Sequence, residues 1–128
     1  MKVRRRGRPR TQGARKEIDE RLQAWGNAVR GELGVGEVSN VLAEMIANSG
    51  LRIHAYTEVS DRDVETDQAV AKLPFRLRRT VVWRYVTMPS APREQIASRM
   101  RVHVEDFKGY LNTAIDLLAD WLCTEPTS

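Results

Sequence analysis

Apolar residues recur at three- and four-residue intervals along most of this chain, the pattern of amphipathic helices. Ile18, Leu22, Trp25 and Val29 place one helix at about residues 15–30, and Gly31, Gly34 and Gly36 break it. Val38, Val41, Leu42, Met45 and Ile46 share a face of a second helix at about 37–48, stopped by Asn48-Ser49-Gly50. Leu51 to Val59 alternates weakly and fits a short strand or an extended loop. A helical pattern resumes near Asp61. Leu73-Pro74 marks a joint between two helices, because proline suits a first turn and breaks a helix interior. Beyond it Leu77, Val81, Val82, Tyr85 and Val86 form an apolar face, with Arg76, Arg78, Arg79 and Arg84 on the remainder.

Met88 to Pro92 reads as a loop in which Ser90 is the expected N-cap of a short helix that buries Ile96, Ala97 and Met100. A tight turn at Arg101 to His103 follows. Val104, Phe107, Leu111, Ala114 or Ile115, Leu118 and Leu122 then hold a stripe over a helix at about 104–122, expected to be the longest element. That stripe is expected to pack against Leu77, Val81, Val82 and Ile96. A short helix, a tight turn and a second helix make a helix-turn-helix, here about residues 92–122, whose second helix fits the DNA major groove. Where such a turn usually has glycine, the fourth residue after Ala97, this chain has Arg101. A non-glycine residue held at positive φ costs on the order of 1 kcal/mol.

The predicted fold is therefore all-α. A single small helical domain at 17–128 carries a C-terminal helix-turn-helix and follows a disordered basic arm at 1–16. The 128 residues and 41% hydrophobic content suit one modest core. Cys123 is the lone cysteine and His54 and His103 the only histidines, so neither a disulfide framework nor a metal site is expected, and no cofactor. No apolar run reaches the roughly 18 residues of a membrane span, and no signal-peptide core is present. The expectation is a soluble protein of the bacterial cytoplasm.

The net charge of +4 is unevenly distributed. Residues 1–16 carry eight basic residues and no acid, and residues 17–71 carry four basic and eleven acidic ones. Residues 72–101 carry eight basic residues against Glu94, and residues 102–128 carry Lys108 against five acids. Two basic zones thus interrupt an acidic body. In the first, Arg6-Gly7-Arg8-Pro9, flanked by Arg4, Arg5 and Arg10, looks like the core of an AT-hook. Glycine permits close approach, proline keeps the chain extended, and guanidiniums enter a narrow, negative minor groove. A generic basic tail that binds any polyanion, RNA included, is the equal alternative.

Signatures of catalysis are absent. Asp61, Asp63, Glu65 and Asp67 alternate, but lack the glycine and terminal glutamate of a calcium loop and read as a solvated helix entrance. Trp25 reads as core, and Cys123 has no base beside it in sequence. The candidate DNA contacts are Arg93, Arg99, Arg101, His103, Glu105, Asp106, Lys108 and Asn112, with Arg93 on the backbone and His103 a turn residue or phosphate contact; Glu105 and Asp106 suit the helix dipole and can also accept from cytosine N4. A recognition helix beginning Val104-Glu105-Asp106-Phe107-Lys108 is poor in positive charge, so either Arg93, Arg99, Arg101 and the arm supply phosphate contacts or the motif docks on protein.

The run from Leu73-Pro74 through Arg76 and Arg78 to Arg84-Tyr85-Val86, followed by Glu94, Ile96 and Ala97, resembles region four of bacterial sigma factors, which reads the −35 promoter element. Over about residues 17–122 the chain is similar to the antitermination protein Q family of lambdoid phages, in its zinc-free branch, where a segment like Arg21-Leu-Gln-Ala-Trp25-Gly26 precedes a sigma-like helix-turn-helix. The resemblance implies a late-gene antiterminator that binds double-stranded DNA near a promoter and acts on RNA polymerase, and on its sigma factor, to allow readthrough. A sigma-like activator of late genes and a small terminase-type assembly protein are the alternatives. RNA as a ligand of the arm and a homodimer on DNA stay open.

Overall fold

The computed structural model describes residues 12–33, 38–49 and 60–122. Every regular element among them is helical: α1 (Gln12–Leu33), α2 (Asn40–Ser49), α3 (Asp61–Ala71), α4 (Phe75–Val82), a π-helical turn (Trp83–Thr87), α5 (Arg93–Met100) and α6 (Val104–Leu122). The all-α expectation holds. The stretch at 51–59 and the arm residues Arg4, Arg5, Arg6, Arg8 and Arg10 lie outside the described residues. Among those described, no helix is long and apolar enough to cross a membrane.

The longest element is α1, at 22 residues, and not α6, at 19. Two arginines explain its extra length. Near the start, Arg15 donates to Asp116 Oδ1 at 2.6 Å and to Asn112 Oδ1 at 2.8 Å on α6, so residues 12–16 are helical and the arm ends before the expected Lys16. Near the end, Arg30 donates to the carbonyls of Tyr85 and Val86 at 3.0 and 3.2 Å, which carries the helix past Gly31. Between them Ile18, Leu22, Trp25 and Val29 enter the core as their spacing predicts.

Ser39 caps α2, its hydroxyl accepting from the Leu42 N–H at 3.1 Å. The buried face is Ala43, Ile46 and Ala47; Val41 and Met45, expected inside, are 71% and 59% exposed. The helix is turned by polar bonds on its flank. Glu44 receives Arg79 Nε at 2.9 and 3.1 Å and Trp83 Nε1 at 3.0 Å, which fixes the rotation of α2 against α4 and the π turn. Two alanines then face the core in place of the larger side chains.

Ser60 caps α3 through the Asp63 N–H, and Pro74 begins α4 at the expected joint. The π turn was not foreseen. Its Met88 N–H reaches back five residues to the Trp83 carbonyl at 2.9 Å, and the inserted residue lets Trp83, Tyr85 and Val86 all turn inward. After Met88 the chain turns into α5, whose N-cap is Pro92; the expected cap Ser90 is exposed and makes no cap bond. The stripe of α6 (Phe107, Leu111, Ala114, Ile115, Leu118) is buried in one core cluster with Leu77, Val81, Val82 and Ile96, as expected, and α6 packs on α1, α3, α4 and α5.

Candidate nucleic-acid interface

The segment from Arg93 to Leu122 is an eight-residue helix, a three-residue turn and a 19-residue helix. Ile96, Ala97 and Met100 bury the inner side of α5. Arg101 then adopts φ 64° and ψ 45°, the left-handed conformation, and is the one described non-glycine residue at positive φ. Its geometry lets the Val102 N–H bond the Ala97 carbonyl at 3.0 Å and the Arg101 N–H bond Ser98 at 3.1 Å, which closes the helix end. The chain re-enters a helix at once, the Phe107 N–H bonding the His103 carbonyl at 2.9 Å. Arg101, outside, holds a conformation that glycine would adopt without strain.

Glu105, Asp106, Gly109, Asn112 and Thr113 are exposed, and their three- and four-residue spacing places them on one outer stripe of α6. Arg93, Glu94, Ser98, Arg99, Arg101 and His103 are exposed on α5 and the turn. Arg101 and His103 help line an open hollow of about 400 Å³ between α5 and the start of α6. Several expected contacts are already engaged. Arg99 donates to Asn40 Oδ1 at 2.8 Å, Lys108 Nζ is 3.5 Å from Glu105 Oε2, and Asn112 accepts from Arg15. Such exposed bonds are worth a fraction of a kcal/mol to about 1 and exchange readily for phosphate or base contacts. Arg93, Arg101, His103 and Asp106 complete the set.

The basic zone at 72–101 is less available than its sequence suggests. Arg78 donates to the carbonyls of Ala47 and Leu73 at 2.7 and 2.8 Å, Arg84 to that of Pro89 at 2.9 Å, and Arg76 to the Tyr110 hydroxyl at 3.1 Å. Arg79 grips Glu44 and also donates to the Met100 carbonyl at 3.0 Å, so it fastens the last carbonyl of α5 to the body. The arginine bond, ahead of the smaller help from Trp83, holds the Glu44 carboxyl below its ordinary range against partial desolvation. These guanidiniums, expected on the solvent face, are bonded within the fold, and of the four Arg79 braces the end of α5 before the turn.

In the Arg21-Leu-Gln-Ala-Trp25-Gly26 segment Arg21, Leu22, Trp25 and Gly26 are buried, while Gln23 and Ala24 are exposed. Arg21 donates to Thr66 Oγ1 and to Glu65 Oε1, both at 3.0 Å, and Trp25 Nε1 to Asp67 Oδ1 at 3.0 Å. Asp67 is therefore buried, not part of a solvated helix entrance. A β-carbon on Gly26 would collide with the Tyr85 carbonyl, so this glycine sets how closely α1 approaches the π turn. The tyrosine's own hydroxyl donates to Asp19 Oδ1 at 2.6 Å, and burial, then that carboxylate, pushes its pKa well above the ordinary phenol value. The segment is a fold determinant.

Composition gave no signal for one further feature. Phe75, Met100, Val102 and Tyr110 line a hollow of about 410 Å³ with Arg76, Arg79 and Glu44, and Val41 and Met45 stand exposed on α2. Among the described residues no group of three or more His, Cys, Asp or Glu side chains is placed to hold a metal ion. No family model, curated protein or solved structure matches the chain.

Proposed function

We propose that the chain is a DNA-binding transcription factor of the phage antiterminator type, in which α5, the Arg101 turn and α6 form a helix-turn-helix that presents its outer stripe to the major groove. The observation that carries this reading is the tight left-handed turn at Arg101, which closes α5 and opens α6 with exposed polar side chains on the second helix. Arg93, Arg99, Arg101 and His103 supply phosphate contacts, and Glu105, Asp106, Lys108 and Asn112 face base edges.

The basic arm completes the site. Arg15, five residues beyond Arg10, is bonded to Asn112 and Asp116, so the chain leading out of the arm begins beside α6. From there the arginines Arg4 to Arg10 reach the flanking minor groove of the duplex that α6 enters. Those charges offset the acidic first turn of α6, which on its own would bind phosphate weakly. The exposed Val41 and Met45 on α2 favour the antiterminator over a regulator that touches DNA alone, since exposed apolar side chains suit a protein-facing surface.

Binding selection from a random duplex pool by the full chain tests the DNA reading. Enrichment of a defined sequence, bound about a thousandfold or more above the unselected pool, is the expected result. Binding with no sequence preference would leave only a polyanion-binding arm.

A further inference from the structure

Gly109 lies inside α6, on its outer stripe, and is exposed. A β-carbon built there would meet nothing within 4 Å, in contrast to Gly26, where the fold leaves no room for one. Packing thus gives no reason for glycine at this position. A helix interior carries a penalty for it, because glycine loses more backbone freedom than alanine on folding. Its neighbours give the reason. Glu105 lies four residues before it and Asp106 three; Asn112 lies three after and Thr113 four. Gly109 is the bare centre of the stripe whose rim carries the polar side chains.

We propose that Gly109 is the point of closest approach of α6 to DNA: with no side chain there, the helix backbone seats against a thymine methyl or the sugar–phosphate wall of the major groove, and the surrounding polar groups reach base edges. The inference rests on the helix-turn-helix reading and adds a specificity-determining position to it. A methyl at 109 would hold the whole helix off the bases while leaving its charges in place. Sequence-specific affinity therefore falls while non-specific affinity, which is phosphate attraction, is preserved.

Gly31 provides a control. It too is exposed and has nothing within 4 Å of a built β-carbon, but it lies on α1, away from the stripe. The experiment compares the full-length wild type, Gly109→Ala and Gly31→Ala by thermal melting. It also compares their affinity for a duplex enriched by the wild type and for the unselected random pool. Both variants should melt higher than wild type. Gly31→Ala should bind both DNAs as wild type does; Gly109→Ala should lose about tenfold or more on the enriched duplex and less than twofold on the random pool. Unchanged affinity of Gly109→Ala for the enriched duplex would overturn the proposal, as would an equal loss on both DNAs or a lower melting point. Retained DNA affinity with lost binding to purified RNA polymerase would reassign the close approach to protein, and so overturn it too. Should the wild type enrich no duplex, the DNA reading itself falls, an outcome seen before any variant is made.

Discussion

Gly26 lies against the carbonyl oxygen of Tyr85 so closely that no β-carbon fits between them. The contact joins α1 to the π turn, whose Tyr85 and Val86 carbonyls are bonded from the same helix by Arg30. Helix, turn and arginine form a single clamp. Gly26→Ala should destabilise the chain by about 2–3 kcal/mol, since the obstacle is backbone and a rigid helix must shift to relieve it. Denaturant melts check this; a neutral or stabilising effect would mean that α1 does not sit where described.

A second stability prediction follows from Glu44. Its carboxyl titrates below its unfolded value because of Arg79, so its contribution is present above the unfolded carboxylate pKa and is lost as pH falls through the lower folded one. Glu44→Gln should flatten the acid side of the stability–pH profile. An unaltered acid limb would show that the Arg79 bond is not formed in solution.

Tyr85 gives the opposite sign. Its phenol titrates above the ordinary 10.0, so the neutral, bonded form is favoured by folding up to that pH and stability declines as pH rises beyond it. Tyr85→Phe should remove part of this alkaline loss. It should also cost about 1 kcal/mol at neutral pH, for the bond given up at Asp19.

Arg101 separates stability from function. Arg101→Gly relieves a positive φ and should stabilise by about 1 kcal/mol. It should weaken DNA binding and lower the log–log salt slope by about one unit if the guanidinium meets a phosphate. A stabilised variant with unchanged salt slope would take Arg101 out of the interface.

Removing residues 1–10, which leaves α1 intact from Gln12, should reduce the salt slope by about 4–5 units, at about 0.9 per phosphate for the five arm arginines. Circular dichroism should show the helical fold retained. An unchanged slope would reduce the arm to a tail with no part in binding.

The spacing of apolar residues was enough to place the helices, because a core face repeats every three or four positions whatever its partner. Ile18, Leu22, Trp25 and Val29, and the α6 stripe, are such cases. Polar residues were misplaced where a distant partner decides their burial. Asp67 is buried because Trp25 donates to it, and Arg78 and Arg79 turn inward because they find backbone carbonyls and Glu44, contacts separated by 21 to 42 residues for all but the local Leu73 bond. Val41 and Met45 were placed inside because α2 has apolar residues on more than one side, and the Glu44 bonds choose which side is buried. The turn at Arg101 was legible as a turn without a glycine, and Glu105, Asp106, Lys108 and Asn112 of α6 were named; the engagement of Asn112 with Arg15 and of Arg99 on α5 with Asn40 was not, since those partners come from α1 and α2.

Readthrough of a terminator tests the functional account most directly. The purified chain is added to RNA polymerase transcribing from a promoter whose flanking DNA carries the sequence the chain enriches, through an intrinsic terminator placed downstream. The account predicts that full-length transcript rises with the wild-type chain. It also predicts that the rise is lost with Gly109→Ala and with removal of residues 1–10, and kept with Gly31→Ala. Termination unaffected by the wild-type chain, on a template whose promoter region it demonstrably binds, would contradict the antiterminator reading.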